Sequence, residues 1–327
     1  MKLDIKKVII RPLIFFAILL GLAKLISILA DPFMTRRYYY NETVNKILSS
    51  ESDILVLGDS HVAEIIQDNE QVCNGAAGNE SVSEFYAKLL LSLKNGRKFK
   101  YLVLECDYHI LSEFKLVENN MSYLANQMDA ATFLKAYPRY NILDFIYSRI
   151  GNYFTVFNTG NAVSFRHKFS VSRIKENIAF LRRGPDNPDT TGSTQHELDV
   201  ALKYKNSSFE DRMELARGRI ATHFSDSLSD ELIRTYADIM RVAKENNIKV
   251  IGVTYPLAIE YRQLMPRQRT AKIDSIFNSM DFYKRYDYTS FSDNAEDFLN
   301  PDHMNLIGGP KFFSDLENRL HRDGIPE

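Results

Sequence analysis

Residues 8–30 read VIIRPLIFFAILLGLAKLISILA, with only Arg11 and Lys24 interrupting the apolar run. As a helix this stretch would extend roughly 35 Å, enough to cross a bilayer core. Arg11 and Lys24 sit toward opposite ends, where long side chains snorkel to the headgroups. Lys2, Lys6, Lys7 and Arg11 lie on the N-terminal side, and Arg36 and Arg37 follow the run. That bias places the N-terminus in the cytoplasm, giving a single-pass inner (cytoplasmic) membrane protein whose main domain is periplasmic or extracellular. A cleaved signal peptide is the rival reading. Ala30 suits its −1 position, but Ile28 at −3 is not small. Residues 1–31 are therefore expected to form a cytoplasmic stub and anchor. Residues 32–51, with Arg36-Arg37-Tyr38-Tyr39-Tyr40, form a juxtamembrane linker and helix whose tyrosines suit the interface.

Beyond the anchor the chain reads as a globular α/β protein. Lys and Arg total 41 against 42 Asp and Glu, a net charge of −1, which excludes a general nucleic-acid binder. Ile54-Leu55-Val56-Leu57 is a continuous apolar run ending in Gly58-Asp59, the pattern of a strand buried on both faces of a parallel sheet. Val72-Cys73-Asn74 is a second short strand. Apolar residues at 82, 85, 86, 89, 90 and 93 mark a helix that Asn95-Gly96 ends, and Tyr101-Leu102-Val103-Leu104 is the third strand. Strand, helix and strand at this spacing make a βαβ unit. Ser227-Leu228-Ser229-Asp230 reads as a capping-box helix start, followed by a fourth strand at 249–254. A helix around 259–279, a fifth strand near 282–287 and a last helix after Asn305 complete the alternation.

Residues 108–226 do not alternate. They are aromatic-rich and helical in pattern, with a breaker cluster expected to form a loop at 184–196, and they read as an insertion capping the sheet. Their Tyr and Phe residues are expected to be core rather than a carbohydrate-stacking platform. Cys73 and Cys106 end strands that flank the first one, about two strand spacings apart, too far for a disulfide.

Three polar blocks fall at strand ends or before a helix. Gly58-Asp59-Ser60-His61 follows the first strand, at the sheet edge where ligands bind, and a serine there has its N–H near a helix start, a place for an oxyanion. Asn74-Gly75-Ala76-Ala77-Gly78-Asn79 follows the second strand, and Gly78 and Asn79 are expected to open the next helix with free N–H groups. Asn300-Pro301-Asp302-His303-Met304-Asn305 precedes the final helix, from which His303 can reach the first loop and take the Ser60 proton.

Together these blocks resemble the SGNH/GDSL hydrolase superfamily, over residues 52–107 and 227–320. The resemblance implies a three-layer, flavodoxin-like α/β domain at 52–327, with a parallel sheet of order 2-1-3-4-5, the helical insertion 108–226 and the N-terminal transmembrane helix. It implies Ser60 as nucleophile, His303 as base, and Gly78 with the Ser60 N–H as the oxyanion hole. It implies no cofactor and no metal. The layout is similar to membrane-anchored, extracytoplasmic members associated with acetylation or deacetylation of envelope polysaccharides, often beside a membrane acyl-transfer protein. The expected partners are thus the bilayer, a glycan or other acyl-bearing envelope substrate, and a membrane acyltransferase.

The chain departs from the family in two blocks. Asn300 stands where the acid usually lies. It can orient the imidazole but carries no charge, and Asp302, the nearest carboxylate, is expected to diverge because it adjoins His303. The block after the third strand reads Glu105-Cys106-Asp107-Tyr108-His109, without the asparagine that completes the oxyanion hole, for which Asn79 or a side chain of 105–109 could substitute. His61 and Asp107 are expected to contact substrate. The leading reading is an acyl esterase or O-acetyltransferase acting through Ser60. The alternatives are a catalytically degenerate envelope protein that binds glycan or scaffolds an acyltransferase, and an enzyme for a lipid-linked substrate approached along the membrane.

Overall fold

The computed structural model describes residues 5–30, 35–63, 65–116, 120–153 and 190–325. Five strands, β1 (Ile54–Leu57), β2 (Val72–Asn74), β3 (Tyr101–Glu105), β4 (Lys249–Thr254) and β5 (Lys284–Asp287), form a parallel sheet of order β2-β1-β3-β4-β5. The architecture is the expected α/β one, with helices on both faces.

The unbroken apolar strands follow from that arrangement, because successive strand residues point to opposite faces. Leu55, Leu57, Leu102, Leu104 and Val250 pack on one core, whereas Ile54, Val56, Val103, Ile251 and Val253 pack on the other. Neither face meets water, so every position in the strand centre must be apolar.

Thirteen α-helices are found among the described residues. Helix α1 (Ile5–Ala30) is the apolar segment, with a stretch at Ile10–Ile28 apolar and long enough to cross a membrane. Helix α2 (Thr35–Ser49) covers the juxtamembrane region, and Tyr40, Val44 and Ile47 bury it in the first core. It is packed onto the domain rather than hanging as a free linker. Helix α3 (Ser60–Ala63) is a single turn, and α4 (Val82–Lys94) follows β2. The insertion supplies α5 (Met121–Gln127), α6 (Ala130–Ala136), α7 (Ile142–Tyr153), α8 (Thr190–Asn206) and α9 (Phe209–His223). Then come α10 (Asp230–Glu245), α11 (Ile259–Leu264), α12 (Arg267–Asn278) and α13 (Gly308–Arg322). The first core holds α2, α4, α10 and α12, and the second holds α3 and α13.

The base of the insertion is pinched where Ser112 bridges Leu228, with Ser229 N donating to Leu111 O at 2.9 Å. Tyr123, Phe133, Tyr137 and Phe145 are core, as expected, but Tyr147 and Tyr153 are exposed.

Several local expectations need correction. The helix expected at 259–279 is two helices, because Pro266 has no N–H to continue the first. The expected capping box at 227–230 is a simple cap: Ser229 Oγ accepts from Leu232 N, and a leucine at that position cannot reciprocate. Residues 190–196, expected as loop, open α8, and 184–189 lie outside the described residues. Gly78 and Asn79 do not open a helix. They form a turn with Asn79 left-handed at φ 61°, and α4 starts at Val82 behind the cap residue Ser81. A short antiparallel pair, β6 (Phe298–Asn300) with β7 (His303–Met304), was not legible as strand and pairs Asn300 with His303.

Candidate active site

The site lies at the C-terminal edge of the sheet. Gly58 ends the buried run of β1 because there is no room for a side chain: a Cβ would overlap Val62 and come 2.9 Å from Glu105 Oε2. The chain then turns directly into α3, with Ser60 at its first position and half-buried. His61 N donates to Asp59 Oδ1 at 2.8 Å, which fixes the turn.

Ser60 and His303, 243 residues apart, meet. His303 Nε2 lies 2.9 Å from Ser60 Oγ. The other ring nitrogen, Nδ1, is 3.2 Å from Asn300 Oδ1 and 3.3 Å from Asp302 Oδ1. Asp302 therefore does not diverge from His303. The β6–β7 turn folds the chain back, and Asp302 N donates to Asn300 Oδ1 at 3.1 Å, curling both side chains onto the imidazole. The two differ in what they offer. The amide oxygen of Asn300 makes a hydrogen bond. Neither oxygen of the buried Asp302 has a hydrogen-bond partner among the described residues, so Asp302 contributes charge at close range.

Asp302 is a hub. Its Oδ2 lies 3.4 Å from His61 Nε2 and 3.6 Å from His223 Nε2, and its Oδ1 lies 3.2 Å from Arg219 Nε. Burial pushes this carboxyl up, but His303 and His61 overcome it and hold it well below the usual carboxylate range. It is an anion at neutral pH.

His61 and Asp107, expected to contact substrate, point into the protein interior. Both are buried, and His61 Nδ1 lies 2.5 Å from Asp107 Oδ2. Asp107 Oδ1 accepts from Tyr255 N at 2.7 Å, which locks the loop after β3 to the loop after β4. Burial disfavours the His61 imidazolium, yet Asp59, Asp107 and Asp302 outweigh it and raise its pKa well above the usual histidine value. The His61 ring stands edge-on to His303, with centroids 4.4 Å apart.

A second tier sits beneath. Asp59 Oδ2 lies 2.9 Å from His109 Nε2 and accepts from Lys115 Nζ. Burial raises the Asp59 carboxyl, but Lys115, His61 and His109 hold it well below its ordinary value. Glu105 accepts from Asp59 N at 2.6 Å, and burial with the neighbouring Asp59 and Asp107 pushes its carboxyl well up, so it stays protonated. Glu105 thus supports the Ser60 turn rather than lining an oxyanion pocket. Burial depresses His109 well below the usual histidine value and His223 to about 4. Asp59, His61, Glu105 and His109 offer ligand atoms within 4.8 Å of one another, as do His61, Asp302 and His303. In the first group a cation already sits on the carboxylate of Asp59, the Lys115 ammonium.

On the oxyanion side, neither the Ser60 N–H nor the Gly78 N–H has a hydrogen-bond partner among the described residues. Gly78 and Asn79 are exposed, with open space around the Gly78 Cα. Their loop is held from behind: the buried Lys88 ammonium bonds Gly75 O at 2.6 Å and Glu80 Oε2 at 2.7 Å, and Tyr40 OH donates to Glu80 Oε1 at 2.7 Å.

Lys115, Arg219 and His223 were not singled out from sequence, and His109 was named only within the block 105–109; all four come from the insertion. His223 is brought in by α9 packing on α11, where His223 Nδ1 lies 2.7 Å from Tyr261 OH. No local spacing marks these residues. Their one signal is that 108–226 is inserted between strands whose C-terminal edge forms the site. No protein-family profile matches the chain, and a search of curated proteins gives no match.

Proposed function

We propose that the protein is a membrane-anchored, SGNH-like acyl esterase or O-acetyltransferase acting through Ser60 on an extracytoplasmic glycan or other envelope polymer. The observation that carries this reading is the 2.9 Å contact between His303 Nε2 and Ser60 Oγ at the sheet edge, with Asn300 and Asp302 on the far nitrogen. In the first step Ser60 Oγ bonds to the ester carbonyl carbon while His303 Nε2 takes its proton. The tetrahedral oxyanion is stabilised by the unpartnered N–H of Ser60, with Gly78 N–H as the second donor. Collapse breaks the bond to the leaving oxygen, which receives the proton from His303. Water or a sugar hydroxyl then attacks the acyl-serine, with His303 again taking and returning one proton.

In this reading Asn300 and Asp302 divide work that one carboxylate does in a Ser-His-Asp triad. Asn300 holds the tautomer with a proton on Nδ1, and Asp302 offsets the positive charge that develops on the ring. The insertion contributes Arg219 and His223 to the Asp302 environment.

The test is labelling of the full chain, in detergent or membranes, by a fluorophosphonate probe. Labelling of the wild type that disappears in Ser60→Ala, with an unchanged melting curve, supports the enzyme. Equal labelling of both, or none of either, favours the rival non-catalytic envelope protein that binds glycan or holds an acyltransferase partner. The exposed Gly78–Asn79 turn is the feature that favours the rival.

A further inference from the structure

Helix α7 carries an apolar face that no described element covers. Ile142, Leu143, Ile146, Tyr147 and Ile150 form one stripe at helical spacing and are 46% to 70% exposed. The opposite side, Phe145 and Ser148, is buried, and the Phe145 ring lies 5.2 Å from that of Phe133. The helix is well built. Asn141 Oδ1 accepts from Leu143 N at 2.8 Å while Asp144 Oδ2 accepts from Asn141 N at 2.8 Å, a reciprocal cap. A defined helix that turns five large apolar side chains outward calls for a cover.

Its C-terminal end indicates which cover. Lys24, in the last third of α1, donates from Nζ to Tyr153 O at 2.9 Å, and its ammonium sits 3.8 Å from the centroid of the Tyr153 ring. Ala23 and Ser27 beside it are buried. The apolar stretch of α1 ends at Ile28, so Lys24 lies about 6 Å inside that end at 1.5 Å per residue. That is just below the boundary between headgroups and acyl chains, within the roughly 5–10 Å to which an in-plane helix buries its apolar face. The end of α7 is therefore held at that depth by a residue of the spanning helix. A lysine also suits the carbonyl end of a helix, both as donor and as charge.

We propose that α7 is an in-plane membrane helix, with its Ile142–Ile150 stripe seated in the outer headgroup and acyl boundary of the bilayer that α1 crosses. Tyr147 takes the interfacial place favoured by amphipathic rings, and the exposed Arg149 lies where it meets lipid phosphate. The cap is then held to the membrane at two points, α1 and α7. The inference rests on α1 spanning the bilayer and not on the chemistry at Ser60.

The chain has no tryptophan, so single indoles can report depth. Full-length Tyr147→Trp, Phe16→Trp and Tyr283→Trp variants are reconstituted into phosphatidylcholine–phosphatidylglycerol vesicles containing lipids brominated near the glycerol or deep in the chains. Position 283 precedes β5 at the sheet edge. The expected result is loss of emission at 147 with the shallow bromines, quenching at 16 with the deep ones, and none at 283. Quenching at 16 but not at 147 overturns the proposal, and is the outcome if the stripe is reserved for another protein. Absence of quenching at both 16 and 147 removes the anchor reading and this inference with it.

Discussion

Asp302→Asn isolates charge from shape at the far side of His303. The substitution keeps the volume and one carbonyl oxygen but removes the anion whose Oδ1 lies 3.3 Å from His303 Nδ1. In the proposed mechanism His303 takes the Ser60 proton and its ring becomes cationic. At that separation and an effective dielectric of about 20, the lost attraction is about 5 kcal/mol. Each 1.36 kcal/mol is about a factor of ten in rate, so acylation should slow by about 10³ to 10⁴. Arg219 and His61 share the same carboxylate and already offset part of its field, which places the expectation at the lower end of that range. The assay is the second-order rate of fluorophosphonate labelling of the full chain, read beside its melting temperature. Asn300→Ala is the companion: it removes the 3.2 Å hydrogen bond that orients the ring and should slow labelling by a smaller factor. A rate for Asp302→Asn within about threefold of wild type, alongside a collapse in Asn300→Ala, would refute the charge argument and leave Asn300 as the only partner that matters.

Three further expectations concern the frame of the site. Gly58→Ala forces a Cβ into Val62 and toward Glu105, and should cost about 1–3 kcal/mol of stability while displacing Ser60; thermal melts and the labelling rate should fall together. Lys115→Met strands the buried Asp59 charge and should destabilise by about 3–5 kcal/mol, a loss that an additional Asp59→Asn should partly restore. His223, depressed to about 4, is neutral in the folded protein, so its contribution is intact above the unfolded value near 6.5 and is lost as pH falls through about 4. That amounts to about 3 kcal/mol across the window. His223→Asn should flatten the fall in melting stability between pH 6.5 and 4, and an unchanged slope would show that other groups carry it.

Sequence alone determined the parts that depend on local pattern. The runs 54–57, 72–74 and 249–254 are legible as buried strands because a parallel sheet covered on both faces leaves the strand centres apolar, with Lys249, Thr254 and Asn74 at the strand ends. The apolar stretch 8–30 is legible because its length and composition suit a bilayer better than a core. Ser60 and His303 are legible because their blocks stand at a strand end and before the last helix. Tertiary structure decided how polar residues meet. The turn between β6 and β7 brings Asp302 against His303, although adjacency in the chain argued for divergence. The insertion carries Lys115, Arg219 and His223 to a site formed by strands on either side of it. His61 and Asp107, read as substrate contacts, turn inward because each satisfies the other's buried charge. Periodicity encodes which face of an element is apolar, since that is a property of neighbouring residues. It encodes nothing about which distant loops converge, and the chemistry of this site is set by that convergence.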